Sequence, residues 1–488
     1  MIQGFNPRTG KPTGDPVAET TDAEVDAAVS AAAEALPAWA ALEDEARARA
    51  LEAIADALDE RTADLAALAD EETALGETRL TGEVGRTTGQ LRLFAGVLRD
   101  GGYADIAESP AAGGIPEIRR VSRPVGPVAV FAASNFPFAF SVMGGDTASA
   151  LAAGCPVVVK AHEGHPGTSE LTAQLAREAL SKAGAPRGVF ALIHGVDAGL
   201  RLLNHPAITA AGFTGSTGGG LALAKICADR EVPIPFFGEL GAVNPVVVLP
   251  GAAAQRAADI ASGYAGSLTL GAGQFCTNPG LLFVPARDQA LGNEIAAAVT
   301  ESRGGPMLSK RIHAGYEAAL AEIEVHPGVE AIAAGTTGEG PWGATPRLFA
   351  TTLEQFAADI PVLAKERFGP AGLVITYPSA EELLPVLAQL GGNLVGSVHG
   401  DPDDRADLAT ARQVLAVFER TVGRIVWNGW PTGVAVNAAQ HHGGPYPATT
   451  APAFTSVGAT AIRRWLIPVA YQGLPDGLLP AELAGTTG

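Results

Sequence analysis

The chain has 488 residues, and its 52 acidic side chains outnumber 33 basic ones for a formal net charge of −19. That length favours two or three domains sharing a large interior, and so acidic a balance repels phosphate backbones and anionic lipid, which argues against nucleic acid or a membrane surface as partner. Only Cys155, Cys227 and Cys276 occur, a set too sparse and odd in number for a disulfide framework, so a reducing, cytoplasmic compartment is expected.

In chain order, residues 1–7 lack a basic start and an apolar signal core, and no run of about 18 apolar residues follows anywhere, so neither a standard export signal nor a membrane span is expected. Residues 21–100 read as helices. Thr21 and Glu24 form a capping-box pattern, and Val25, Val29, Ala32 and Leu36 recur at helical spacing. Further helical runs cover roughly 44–75 and 83–99. The stretch 101–115 is rich in Gly, Ala and Pro, and 117–123 then alternates like an exposed strand, which together predict a projecting hairpin. After Pro124, strands at 128–132, 157–160, 190–194 and 208–213 alternate with helices near 139–152 and 167–183. Repeated βα units imply a parallel sheet with helices on both faces, and hence a dinucleotide-type domain. A second α/β stretch, expected to form a separate catalytic lobe, starts at 246–249 and continues through strands at 281–284, 373–375 and 425–427. The Pro- and Gly-rich tail from Trp465 is expected to pack first on a neighbour and then to end loosely at 485–488.

The chemistry concentrates at Cys276, set in Gly271-Ala272-Gly273-Gln274-Phe275-Cys276-Thr277-Asn278-Pro279-Gly280, 276 − 239 = 37 residues after Glu239 of Phe237-Gly238-Glu239-Leu240-Gly241. Free cysteines are commonly buried and inert, but a Gly-rich approach lets backbone amides reach this thiol, and a carboxylate from another loop supplies a base. Cys155 and Cys227 read as structural. Glu239 follows the apolar run Ile234-Pro235-Phe236-Phe237, where a hydrophobic wall would raise its pKa; the alternative is a solvated loop glutamate. Asn135, after a buried strand, offers an amide to a developing oxyanion or merely serves a turn before Phe136-Pro137. Its neighbours Phe136, Phe138 and Phe140 line a channel or fill core. Lys160 ends a strand where open parallel sheets bind ligands, and either holds ribose hydroxyls or caps the strand. Gly215 and Ser216, in a Gly-rich strand-to-helix turn, stand where a diphosphate meets helix amides, although the run departs from Gly-x-Gly-x-x-Gly. The pairs His162/His165 and His441/His442 lack a matching Cys or carboxylate cluster at ligand spacing, so no metal is expected.

The ordered set Asn135, Lys160, Gly215-Ser216, Glu239, Cys276 and Lys365-Glu366-Arg367-Phe368-Gly369-Pro370 resembles the aldehyde dehydrogenase superfamily over nearly the whole chain. The stretches 273–280 and His442-Gly443-Gly444-Pro445-Tyr446-Pro447-Ala448-Thr449 look like the branch of α-ketoglutaric semialdehyde (2,5-dioxopentanoate) dehydrogenases and bacterial NADP-dependent fatty-aldehyde dehydrogenases. The resemblance implies an α/β fold with a modified Rossmann cofactor domain, a catalytic domain and a β-hairpin oligomerisation element. Expected boundaries are 1–100 and 124–240 for the first, 241–464 for the second, and 101–123 with 465–488 for the third. It further implies Cys276 as nucleophile, Asn135 and the Cys276 amide as oxyanion donors, and Glu239 as the base that activates water against a thioester. Glu366 would bind the nicotinamide ribose, Phe368 would pack beside the nicotinamide, Lys160 would hold the adenosine ribose, and Gly215-Ser216 would lie by the diphosphate. Ala242 stands where many relatives have a second glycine. Glu163, three positions after Lys160, would accept a ribose 2′-hydroxyl and repel a 2′-phosphate, which leans towards NAD over NADP unless a cation such as Arg201 offsets it.

The expectation is therefore a cytoplasmic NAD- or NADP-dependent aldehyde dehydrogenase, a homodimer or homotetramer, acting on α-ketoglutaric semialdehyde, with a broad aliphatic or fatty aldehyde as the alternative. A catalytically silent relative is disfavoured because Asn135, Glu239 and Cys276 are all present. A cofactor-free thiol hydrolase needs a histidine oriented beside its cysteine, and would leave Lys160, Gly215 and Glu366 without purpose.

Overall fold

The computed structural model describes residues 1–484, so the loose end expected at 485–488 lies outside the described residues. The short apolar strands assemble into a five-stranded parallel sheet whose order in space is Phe190–Ile193, Val157–Lys160, Val128–Phe131, Ala210–Thr214, Phe236–Glu239. Val128–Phe131 and Val157–Lys160 are buried throughout, because alternate side chains feed two different cores. Val128, Val130, Val157 and Val159 pack with Trp39, Leu91 and Phe94, whereas Ala129, Phe131 and Val158 pack with Val25, Val29 and Leu202. The chain enters at the central strand Val128–Phe131, runs outward one way, and crosses back to Ala210–Thr214. That reversal opens a crevice at the carboxyl ends of the two strands, where α/β sheets take ligands.

The second sheet has seven strands, ordered Glu330–Ala334, Arg347–Thr352, Ala371–Tyr377, Leu281–Pro285, Val246–Val248, Asn393–His399, Val422–Trp427, parallel except for the first. It too is sandwiched: Leu281, Phe283, Leu373 and Ile375 face one core, and Val246, Val248, Leu282 and Val374 face the other. A small antiparallel hairpin, Ile2–Asn6 with Lys11–Val17, precedes the helices.

Helix Asp22–Ala40 starts at the expected capping box, with both reciprocal hydrogen bonds between Thr21 and Glu24. The long helical run expected at 44–75 is broken into Asp44–Asp59 and Thr62–Thr73. The helix expected from 139 begins only at Gly145, because Ala139 turns its carbonyl back to accept from the Gly145 amide at 3.0 Å. The loop that this leaves carries Asn135.

The strand expected to be exposed, Ile118–Pro124, is covered on one face. It pairs antiparallel with both Ala107–Ser109 and Leu466–Gln472 of its own chain, and Arg119 and Val121 are only 2% and 1% exposed. Arg119 donates to the Leu483 carbonyl at 2.5 Å, so the tail folds back over the strand of its own chain.

Candidate active site

Glu239 ends the edge strand Phe236–Glu239 of the five-stranded sheet. A late segment of the chain docks on that edge: Glu239 bridges to Thr449, the Leu240 amide donates to the Ala448 carbonyl at 2.8 Å, and the Gly238 amide donates to Thr450 Oγ1 at 2.8 Å. Docking carries His442 inward. Its Nε2 lies 2.9 Å from Glu239 Oε1 and 3.7 Å from Cys276 Sγ, with the side chain fully buried. The Ser456 hydroxyl donates to the other Glu239 oxygen.

Cys276 follows helix Pro250–Thr269 through a turn in which Gly271, Ala272 and Gly273 all take positive φ, at 57°, 56° and 69°. Gly273 has no alternative, since a Cβ there would come within 2.2 Å of the Gly369 backbone. This close approach brings the cysteine turn against the segment that carries Glu366 and Phe368. Asn244 fixes the turn from below, donating to the carbonyls of Cys276 at 2.8 Å and Asn278 at 3.0 Å. Asn135 donates one amide hydrogen to the Gln274 carbonyl at 2.9 Å, which leaves its second N–H for another acceptor.

Electrostatics set the resting protonation. Burial, then the adjacent Glu239 charge and its hydrogen bond, push the Cys276 thiol well above its ordinary value of 9.0. Burial opposes ionisation of Glu239 as well, but His442, Ser456 and the Cys276 thiol outweigh it and hold the carboxyl below its ordinary 4.5. The raised pKa expected from a hydrophobic wall is thus corrected: Glu239 meets donors, not only Phe236 and Phe237. The resting site is a thiol donating to a carboxylate. Cys155 and Cys227 are buried, and burial raises them to about 12 and about 11.

One cavity of about 700 Å³ gathers every predicted site residue. Asn135, Glu239 and Cys276 line it at one end; Lys160, Glu163, Gly215 and Ser216 line it along the carboxyl ends of the five strands; Glu366 and Phe368 face them from the other sheet. Lys160 is ion-paired with Glu163. Ser216 caps helix Thr217–Asp229, accepting from the Gly219 amide at 3.3 Å, and Gly218, Gly219 and Gly220 keep the start of that helix bare. Glu366 lies so close over Gly241 that a Cβ there would be 2.0 Å from its Oε2. Burial raises its carboxyl to about 7, against a hydrogen bond from the Ala242 amide. Ala242 itself is accommodated, buried beside Leu394, Val395 and Ala448.

Two expectations need correcting. Arg201 is held by Asp26 through bonds of 2.9 and 2.6 Å and does not line the cavity, whereas Arg311 does, in addition to Lys160. The ring nitrogens of His165 meet the Ala133 carbonyl at 3.0 Å and Ser169 Oγ at 3.3 Å. His442, dismissed for want of a nearby cluster, stands with Glu239 and Cys276 so that their ligand-type atoms all lie within 4.8 Å of one another. Within that group His442 Nε2 and both Glu239 oxygens are already hydrogen-bonded. A histidine beside the cysteine therefore no longer separates a dehydrogenase from a thiol hydrolase. The dinucleotide-sized cavity and the kinship of the chain make that separation.

Fold and site together define an NAD(P)-dependent aldehyde dehydrogenase: the chain belongs to the aldehyde dehydrogenase family, whose model matches residues 1–445. It is 47% identical over 459 residues to alpha-ketoglutaric semialdehyde dehydrogenase 2 of Azospirillum brasilense, covering 92% of this chain and 87% of that one. It is 41% identical over 448 residues to alpha-ketoglutaric semialdehyde dehydrogenase of Acinetobacter baylyi, covering 90% and 84%. Among solved structures, the NAD+ complex of an aldehyde dehydrogenase from Bacillus cereus superposes with a TM-score of 0.80 at 22% identity, covering 96% of this chain and 92% of that one. Members of the family use NAD or NADP, and the bare helix start beside Ser216, with carboxylates at both ends of the cavity, fits a dinucleotide. No helix among the described residues is long and apolar enough to cross a membrane.

Proposed function

We propose that this chain oxidises α-ketoglutaric semialdehyde to 2-oxoglutarate with NAD or NADP, through a thioester on Cys276. The observation that carries the reading is the Cys276–His442–Glu239 group opening onto a dinucleotide-sized cavity, in a chain 47% identical to a relative named for that substrate.

Cys276 gives up its thiol proton by way of Glu239 to solvent in the cavity, which leaves Glu239 ionised again, and the thiolate adds to the aldehyde carbon. The free N–H of the Asn135 side chain and the Cys276 backbone amide hold the oxyanion of the thiohemiacetal. The bound cofactor supplies the hydride acceptor that turns this adduct into a thioester. Once the sulfur is acylated it no longer donates to Glu239, so the ionised carboxylate, oriented by His442 Nε2, takes a proton from the attacking water. Lys160 and Glu163 bind the adenosine ribose, Gly215 and Ser216 the diphosphate, Glu366 the nicotinamide ribose, and Phe368 packs beside the nicotinamide.

The same reading takes residues 1–100 and 124–240 as the cofactor domain, 241–464 as the catalytic domain, and 101–123 with 465–488 as the oligomerisation element. It makes the enzyme a cytoplasmic homodimer or homotetramer. Support comes from three unpaired cysteines and from Leu466–Gln472, the outer strand of its three-stranded sheet, whose second edge is open to another chain.

The test is absorbance of reduced nicotinamide with NAD and NADP against α-ketoglutaric semialdehyde, short aldehydes and long aldehydes. A higher kcat/KM on the semialdehyde is expected. Preference for long aldehydes would move the substrate to a fatty aldehyde, and turnover retained by C276S would remove Cys276 as nucleophile.

A further inference from the structure

Ser456 reaches the site from the same late segment as His442 and is tied to it. Its amide donates to the His442 carbonyl at 2.9 Å, and the His442 amide donates to Thr455 Oγ1 at 2.8 Å, so the two side chains enter the site as one unit. Together they take both oxygens of Glu239: His442 Nε2 lies 2.9 Å from Oε1, and the Ser456 hydroxyl donates to Oε2. An ionised carboxylate has no hydrogen to offer, so Nε2 of His442 carries the one between them. The other ring nitrogen, Nδ1, is buried with no partner among the described residues, as that tautomer leaves it. Glu239, His442 and Ser456 are all buried, so each donor counts for more than it would in water.

This arrangement matters once the sulfur is acylated. In the resting site the Cys276 thiol is a third donor to Glu239, so one carboxylate lone pair is turned to the sulfur. Acylation vacates that lone pair. With both oxygens held it stays beside the acyl group, where a water takes the place of the thiol. The Ser456 hydroxyl serves both protonation states of Glu239, because it also lies 3.1 Å from the His442 carbonyl. It donates to the carboxylate; after Glu239 has taken the proton of the water, Ser456 Oγ accepts from it and turns its own hydrogen to that carbonyl.

We propose that Ser456 is a positioning residue for thioester hydrolysis, holding the Glu239 carboxylate beside Cys276 in concert with His442. The inference rests on the thioester reading above. Ser456 does not line the cavity, so it acts through Glu239. Glu239 also meets Cys276 and His442 directly, and interacts with the charges of Arg86 and Asp146 without bonding to them. None of these groups changes when Ser456 does. Loss of a donor to a buried carboxylate raises its pKa, so in a variant without the hydroxyl the protonation of Glu239 extends further towards neutral pH.

The probe is p-nitrophenyl acetate, which acetylates a reactive thiol without nicotinamide. Hydrolysis of the acetyl-enzyme is followed by mass spectrometry on the Cys276 peptide, across roughly pH 5 to 8, in wild type, S456A, S456C and S456T. The rate of S456A relative to wild type should fall roughly 3- to 10-fold from the alkaline to the acid end of that range, as expected for one charge-assisted hydrogen bond. S456C, whose thiol is a weak donor, should behave alike and carries the comparison if alanine harms folding. S456T keeps the hydroxyl and should track wild type. A ratio constant with pH, however low, overturns the proposal and leaves Ser456 a packing residue. Should wild type form no acetyl-enzyme on Cys276, the nucleophile itself is misassigned, and the proposal falls with it.

Discussion

At Cys276 the sulfur carries a hydrogen and has a carboxylate for a neighbour, an arrangement that suppresses the thiolate in the resting enzyme. The sign is definite. A negative charge beside a thiol raises its pKa, so removing that charge lowers it. In E239Q the Cys276 pKa should therefore drop, and alkylation by iodoacetamide at neutral pH, followed by mass spectrometry on the Cys276 peptide, should speed up. Slower alkylation would show instead that Glu239 works chiefly as the acceptor of the thiol proton. Wild-type alkylation should keep climbing with pH past the ordinary thiol value of 9.0. The same variant separates the two chemical steps, because thioester hydrolysis should slow more than thioester formation, read as a burst of reduced nicotinamide. Stability follows the opposite sign. Glu239 titrates below its ordinary 4.5, so its contribution is present above that value and fades as pH falls through the lower folded one. An acid-unfolding profile of E239Q should lack that limb.

Elements hold these residues by close backbone approach, and glycine is the price at the tightest points. A Cβ at Gly273 meets the Gly369 backbone at 2.2 Å, in a φ of 69°, so G273A combines a left-handed alanine, costing about 1–2 kcal/mol, with a clash that neither segment can relieve alone. Loss of several degrees in Tm with loss of activity is expected. Gly292, inside helix Gln289–Glu301 with open space around it, is the control, and G292A should gain about 0.5–1 kcal/mol. Calorimetry of the two variants checks both signs. On the cavity wall Lys160 is tied to Glu163; if the pair holds the adenosine ribose as proposed, E163Q frees that cation and removes a repulsive charge, and should raise the NADP-to-NAD ratio of kcat/KM by about tenfold. What was legible in the sequence divides along the same lines. Strands such as Val128–Phe131 declare themselves because both faces are buried and every residue is apolar. Phe236–Glu239 and Asn393–His399 do not, because Gly238 and Gly396 interrupt them, and one partner of the second, Val246–Val248, comes from a distant part of the chain. His442 sits 166 residues from Cys276 and 203 from Glu239, so no search at ligand spacing reaches it. Only the docking of residues 448–450 on the strand edge brings it in.

Across the whole molecule the cavity is walled by both large sheets, with Lys160 and Glu163 on one and Glu366 and Phe368 on the other. The two are also tied directly, through the bridge from Glu239 to Thr449 and the bond from Leu240 to Ala448. A cofactor bound across the gap touches both and neither can unfold while keeping its half of the contact, so ligand and protein should unfold as one unit. Saturating NAD at a hundred times its Kd should add about 2.7 kcal/mol to unfolding, and calorimetry should record one transition moving as a whole. Were two transitions to appear, with only one moving, the cofactor would be held by a single sheet and the Glu366 side of the cavity would play no part in its binding. E366A discriminates further. Its carboxyl is buried and raised to about 7, so its removal relieves a costly group in the free enzyme while deleting a contact in the complex. Free E366A should match or exceed wild type in Tm, yet gain less on adding NAD, and that crossing of the two curves is the signature of a residue kept for its ligand.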